Sequence, residues 1–286
     1  MKFTKTAVVV AIAGIAAAPM MAAAETTLSG VVQINLQGTD ADDDAADLTF
    51  AGGDVNINLN AQQALNSGLT GYGNYRLDGD SLSGGGLTSD SVHVGVKGGF
   101  GDFRLGEVNT IAEYGQVAGD LHDQTGAING GVHYEGSFGP ASIGLVWAPE
   151  NNEDVIGAGA KFSLGGFAIG VGAEERAGEM NASVGASFGF AGASVAVHYV
   201  TKEQGADEDG TVIAAKVGYG IAGINLGLTY SQAEDIADFE TKIRFDAGYD
   251  LGGGMGISTR VTSSVDNTDA TVDDLLEYRV QLSKSF

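Results

Sequence analysis

The side chains able to act on a solute in this chain are almost all fixed charges. Four acids, Glu107, Glu113, Asp120 and Asp123, fall in one long polar stretch, residues 107–126. Four bases, Arg76, Lys97, Arg104 and Arg279, alternate with apolar neighbours, as do Lys242, Arg244 and Arg260. Opposite charges across an aqueous gap polarise water and sort ions. Catalysis would instead need a nucleophile and an acid–base group converging on one point. The histidines, His93, His122, His133 and His198, are scattered, and no G-x-S-x-G occurs, so no enzyme is expected. Carboxylates at Asp42-Asp43-Asp44, Glu208-Asp209 and Asp273-Asp274 suit Ca²⁺ or Mg²⁺. They lack the glycine and distal glutamate of an EF-hand, so solvated loops with weak divalent binding are the reading they support. No cofactor is expected.

The elements that must carry these charges are strands. Residues 1–24 stand apart. A basic head at Lys2 and Lys5 precedes an apolar run from Ala7 to Ala18, and Ala22-Ala23-Ala24 offers a small-residue cleavage site. That order reads as a secretory signal peptide, too short in its apolar core for a spanning helix. The chain expected after cleavage is one β-barrel domain, residues 25–286. The removed segment carries two of the 14 bases and none of the 37 acids, so the formal charge moves from −23 to −25. Such a chain repels nucleic acid and attracts cations. With no cysteine, a disulfide scaffold is excluded.

Period two runs through the rest. Leu276-Glu277-Tyr278-Arg279-Val280-Gln281-Leu282 alternates strictly, as does Ile224-Asn225-Leu226-Gly227-Leu228-Thr229-Tyr230. Successive strand side chains point to opposite faces, so each segment has an apolar face and a small or polar one. Sixteen such segments can be counted, centred from Ile34 to Val280. Short glycine-rich connections (98–102, 137–141, 164–167, 188–193, 219–224, 251–256) alternate with polar, mostly longer ones (40–47, 78–89, 107–126, 149–154, 174–179, 202–209, 232–238, 266–274). The polar set holds 28 of the 37 acids. Alternate connections of an up-and-down sheet lie at opposite ends, so one rim is short and nearly uncharged and the other acidic. A soluble sandwich has no cause for that segregation; a membrane barrel has. Lipid offers no partner to a bare strand edge, so a spanning sheet must close. The expected fold is all-β: a transmembrane antiparallel up-and-down β-barrel of 16 strands. That strand number leaves an aqueous lumen. Aromatics near strand ends, such as Tyr134, Phe188, Tyr219 and Tyr249, suit interfacial belts.

Several runs carry a family resemblance. The start Glu25-Thr26-Thr27-Leu28-Ser29-Gly30 looks like a porin first strand. Residues 92–106, which include Val94-Gly95-Val96-Lys97-Gly98-Gly99-Phe100-Gly101 and Leu105-Gly106, resemble the porin VGLKGxFGxxxLG hairpin. The 107–126 stretch follows where porins place the loop that folds into the pore, and the chain ends in Phe286. Over its whole length the chain resembles the general porins of Gram-negative outer membranes. Two positions depart: Lys284 replaces a frequent aromatic, and Glu113-Tyr114-Gly115 is only a loose echo of Pro-Glu-Phe-Gly. The resemblance implies a homotrimer in the cell outer membrane, in contact with lipid and lipopolysaccharide, passing ions and small hydrophilic solutes. It implies a constriction with loop acids (Glu107, Glu113, Asp120, Asp123) opposite a basic wall (Arg76, Lys97, Arg104, Arg279). The acidic rim points to cation preference. A structural or adhesin barrel with a plugged lumen is the alternative.

Overall fold

The computed structural model describes residues 24–40, 48–65, 68–82, 86–118, 127–149, 154–203, 209–234, 241–265 and 275–286. The expected signal peptide (up to residue 23), Asp120, Asp123, His122 and the clusters at Asp42–Asp44 and Asp273-Asp274 lie outside the described residues.

Sixteen strands form in chain order: β1 (Glu25–Asp40), β2 (Thr49–Ala64), β3 (Thr70–Asp80), β4 (Thr88–Gly98), β5 (Gly101–Asn109), β6 (Ala127–Phe138), β7 (Ala141–Ala148) and β8 (Val155–Leu164). Then follow β9 (Phe167–Arg176), β10 (Glu179–Phe190), β11 (Ala193–Glu203), β12 (Asp209–Ile221), β13 (Ile224–Glu234), β14 (Thr241–Gly252), β15 (Met255–Val265) and β16 (Leu275–Ser285). Each pairs antiparallel with its sequence neighbours, and β16 closes on β1. The seam is zipped to its end, where Gly30 and Phe286 exchange backbone hydrogen bonds of 3.1 Å. No strand edge is left along the closed wall, which is what hydrocarbon demands.

The sheet is inverted relative to a soluble protein. Outward side chains are large and apolar and stay exposed: Leu28, Val94, Leu145, Val171, Ile213, Leu228 and Val280 are all accessible. They are the surface offered to lipid. The largest cluster of buried apolar residues instead lies inside the barrel, against an inner loop that begins at Thr110 after β5.

One expected long connection is short. Residues 174–179 read as a polar loop, but β9 and β10 are joined by Ala177-Gly178 alone. Both have positive φ, 54° and 87°, the two-residue turn whose twist suits an antiparallel hairpin. Ala191-Gly192 and Ala222-Gly223 repeat it at the other rim. Glu174 therefore belongs to a strand and not to a loop.

Candidate functional site

The inner loop, described from Thr110 to Ala118, leaves β5 and turns into the lumen. A short 3-10 helix, Ala112–Gly115, begins it. This segment is laid flat on the wall of β8 to β11. Ile111 is fully buried, Ala112 and Ala118 nearly so, and Tyr114 is 7% exposed. Ile111 and Tyr114 make a dry core with Val108, Ile128, Val146, Ala148 and Val155, while Ala118 packs on Ala196 and Ala214.

The wall admits the loop because its inward positions there are glycines. A Cβ at Gly170 would strike the Tyr114 carbonyl oxygen, and one at Gly172 that of Ile111. A Cβ at Gly185 would strike the Gly115 carbonyl. Gly144 and Gly159 sit under the Tyr114 and Ile111 side chains in the same way. Glycine is used here for close approach of one backbone to another.

Three side chains from three successive strands then clasp the loop. Glu174 on β9 is 4% exposed and accepts from the Thr110 hydroxyl, the Ile111 N–H (3.0 Å) and the Ala112 N–H (3.5 Å). Ser183 on β10 donates to the Ala112 carbonyl and accepts from the Gly115 N–H at 3.0 Å. His198 Nδ1 on β11 accepts from the Ala118 N–H at 3.2 Å. The loop N–H groups would otherwise be buried without partners, at about 1–3 kcal/mol each. Lys161 on β8 places its ammonium 4.1 Å from the centre of the Tyr114 ring, a cation–π contact.

The opposite arc, from β14 through β16 and β1 to β6, is polar. Arg76 on β3 pairs with Asp78 (3.0 Å) and Asp90 (3.2 Å). Arg104 on β5 pairs with Glu135 (3.2 Å) and Asp102 (3.7 Å), and Asp102 also accepts from the Tyr72 hydroxyl. Lys97 on β4 lies 3.5 Å from the Gln62 carbonyl oxygen and 5.3 Å from the Tyr72 ring centre. Arg279 on β16 stands opposite Arg260. Carboxamides fill the spaces: Asn74 donates to Asn60 at 2.6 Å, and Gln281 donates to Gln33 and Asn35.

The four basic wall residues thus share one polar arc, as their strand parity requires. Arg76 and Arg104 take wall carboxylates as partners, which the sequence reading did not foresee. Of the loop acids, Glu113 lies in the 3-10 helix, half-buried between Ala112 and Tyr114. Glu107 lies on β5, one residue past Gly106, where the β5–β6 register shifts. The loop's own anchors, Glu174, Ser183 and His198, were missed. One signal was present: Ile169-Gly170-Val171-Gly172-Ala173-Glu174 keeps its alternation through Glu174, which puts that acid on the glycine face.

Residues 6–270 match the family model described as Gram-negative porin. A loop-deletion mutant of OmpT, an outer membrane protein of Vibrio cholerae, superposes with a TM-score of 0.73 at 16% identity, covering 93% of this chain and 100% of that one. A triple mutant of the Rhodopseudomonas blastica porin gives 0.71 at 15% identity, covering 92% and 100%. At such identities these likenesses speak for the fold. No curated protein matches the sequence.

Proposed function

The chain belongs to the Gram-negative porin family of outer-membrane channels, and we propose that it is no enzyme but a cation-preferring pore for passive diffusion of ions and small hydrophilic solutes. The observation that carries this is the disposition of the inner loop. Its described part, Thr110 to Ala118, is clasped flat to one wall, and the facing arc is lined by hydrogen-bonding and charged groups. Such a lining favours water over a packed plug.

Cation preference rests on charge. The chain from residue 25 on carries 37 acids, and its polar connections hold most of them. A negative mouth raises the local cation concentration. Within the pore, Glu107, Glu113, Asp120 and Asp123 serve as the acidic side of the constriction, and Arg76, Lys97, Arg104 and Arg279 as the basic side. Residues 1–24 are the export signal, three barrels assemble as a homotrimer, and divalent ions bridge the acidic loops weakly to lipopolysaccharide.

Planar-bilayer recording tests the reading. Discrete conductance steps are expected, with a reversal potential of cation sign under a KCl gradient at low ionic strength. The effect should shrink near 1 M salt, where the Debye length is only about 3 Å. A plugged structural or adhesin barrel would give no steps. Anion sign would overturn the preference alone.

A further inference from the structure

The wall opposite the inner loop holds a charge arrangement that neither loop anchoring nor strand pairing explains. On β14 and β15 two arginines bracket one carboxylate, and a third, Arg279 on β16, lies across from one of them. Asp246 spends one oxygen on Arg244 Nε (2.8 Å) and the other on Arg260 Nε (2.7 Å). Arg260 is also the cross-strand partner of Arg279, so two guanidinium groups stand on directly opposed residues. Like charges in that position are destabilising. Among the described residues no carboxylate comes within ion-pair distance of Arg279. Glu277 stands on the same strand face two residues away. The described part of the inner loop packs on β8 to β11, so these arginines do not hold it.

Beside Arg279 the chemistry changes to carboxamide. Gln281, two residues along β16, donates to Gln33 (2.9 Å) and Asn35 (3.0 Å) on β1. Its own carbonyl and the Gln33 amide N–H₂ make no hydrogen bond among the described residues. Asn56, Asn58, Asn60 and Asn74 continue the stripe on β2 and β3. A guanidinium recognises a carboxylate through paired N–H donors. Carboxamides both donate and accept, which is what a row of hydroxyls requires.

We propose that Arg260, Arg279, Gln281 and Gln33 form a solute subsite for hydroxyl-rich carboxylates, of the sugar-acid or hydroxy-acid type. The carboxylate docks on Arg279 and Arg260 and relieves their repulsion. The hydroxyls run along the carboxamide stripe and replace lumen water. The subsite lets a solute anion pass an otherwise cation-attracting channel in contact with the wall. It rests on the lumen being water-filled.

Single-channel recording at about 0.1 M KCl tests it, with potassium gluconate, potassium acetate and sorbitol as probes. Gluconate should interrupt the current reversibly. Acetate should bind about tenfold more weakly, and sorbitol should give no interruption at matched concentration. Arg279→Gln should weaken gluconate about tenfold, the scale of a charge-assisted hydrogen bond. Gln281→Ala should weaken gluconate a few-fold and leave acetate unchanged. Lys216→Gln, on β12 and outside the proposed contacts, should change neither. Intact steps with no gluconate interruption, equal interruption by sorbitol, an unaltered Arg279→Gln, or an equal loss in Lys216→Gln would each overturn the subsite. Absence of any steps would overturn the pore reading itself.

Discussion

The two arcs of the lumen wall are built by opposite rules from the same kind of strand. Between β7 and β12 many inward positions are glycine, alanine and valine, and a loop backbone fills the space they leave. Its polar groups are consumed by Glu174, Ser183 and His198. From β14 round to β6 the inward positions are arginine, aspartate and carboxamide, and the charges stay accessible. In the proposed channel one arc sets how wide the pore is, and the other what the passing solute meets. The difference teaches that a constriction can be positioned from one wall and electrically tuned from the other, because the loop's anchors and the paired charges stand on different strands.

That division can be broken most sharply from the dry side. Gly172→Ala puts a methyl into the Ile111 carbonyl, and backbone cannot yield as a side chain would. Glu174→Ala strips three donors of their acceptor. Either change should cost several kcal/mol of loop seating; in Glu174→Ala the Ala112 N–H keeps the Thr110 hydroxyl as acceptor, so two donors are orphaned at about 1–3 kcal/mol each. The expected readout is a clear change in unit conductance with added open-channel noise, while the barrel's β circular dichroism and resistance to detergent remain. Unaltered conductance in both variants would mean that the loop does not define the narrowest point.

On the wet side, Arg104→Ala should act on selectivity and little on stability. Its pairs with Glu135 and Asp102 are partly exposed, so their worth is no more than about 1 kcal/mol. Removing the cation leaves both acids unbalanced, and the reversal potential should move further to the cation side. Unchanged conductance and selectivity together would remove Arg104 from the constriction.

The smallest effect is alkaline. Burial pushes the Tyr114 phenol up to about 12, with Glu135 acting in the same direction and Arg104 against it. The neutral phenol is the form the seat favours. Its contribution is therefore complete below pH 10 and lost as pH rises through about 12. Open-channel noise should grow over that window. Tyr114→Phe keeps the ring against Gly144 and Lys161 and should abolish that part of the response; equal growth in both proteins would place the titration elsewhere.

Much of this was legible in the chain. Each expected strand centre, from Ile34 to Val280, falls inside an observed strand, because alternation is a local property that one strand displays by itself. The faces of Arg76, Lys97, Arg104 and Arg279 followed from parity alone. The terminal Phe286 and the hairpin at residues 92–106 carried the family. The 174–179 connection was misjudged for a physical reason. Acids and a glycine read as a solvated loop, while Ala177-Gly178 closes the chain in two residues and Glu174 is taken inward.

What the sequence determined by itself is therefore the barrel: the strand number, the two unlike rims, the lipid-facing and lumen-facing sides. Only the tertiary structure decided who meets whom across the lumen. Glu174 reaches Thr110 over 64 residues, and Gln281 reaches Gln33 over 248. Those meetings depend on inter-strand register and on the path of one loop. Period two names the face a side chain occupies, but it is blind to which of the other strands' residues shares its height.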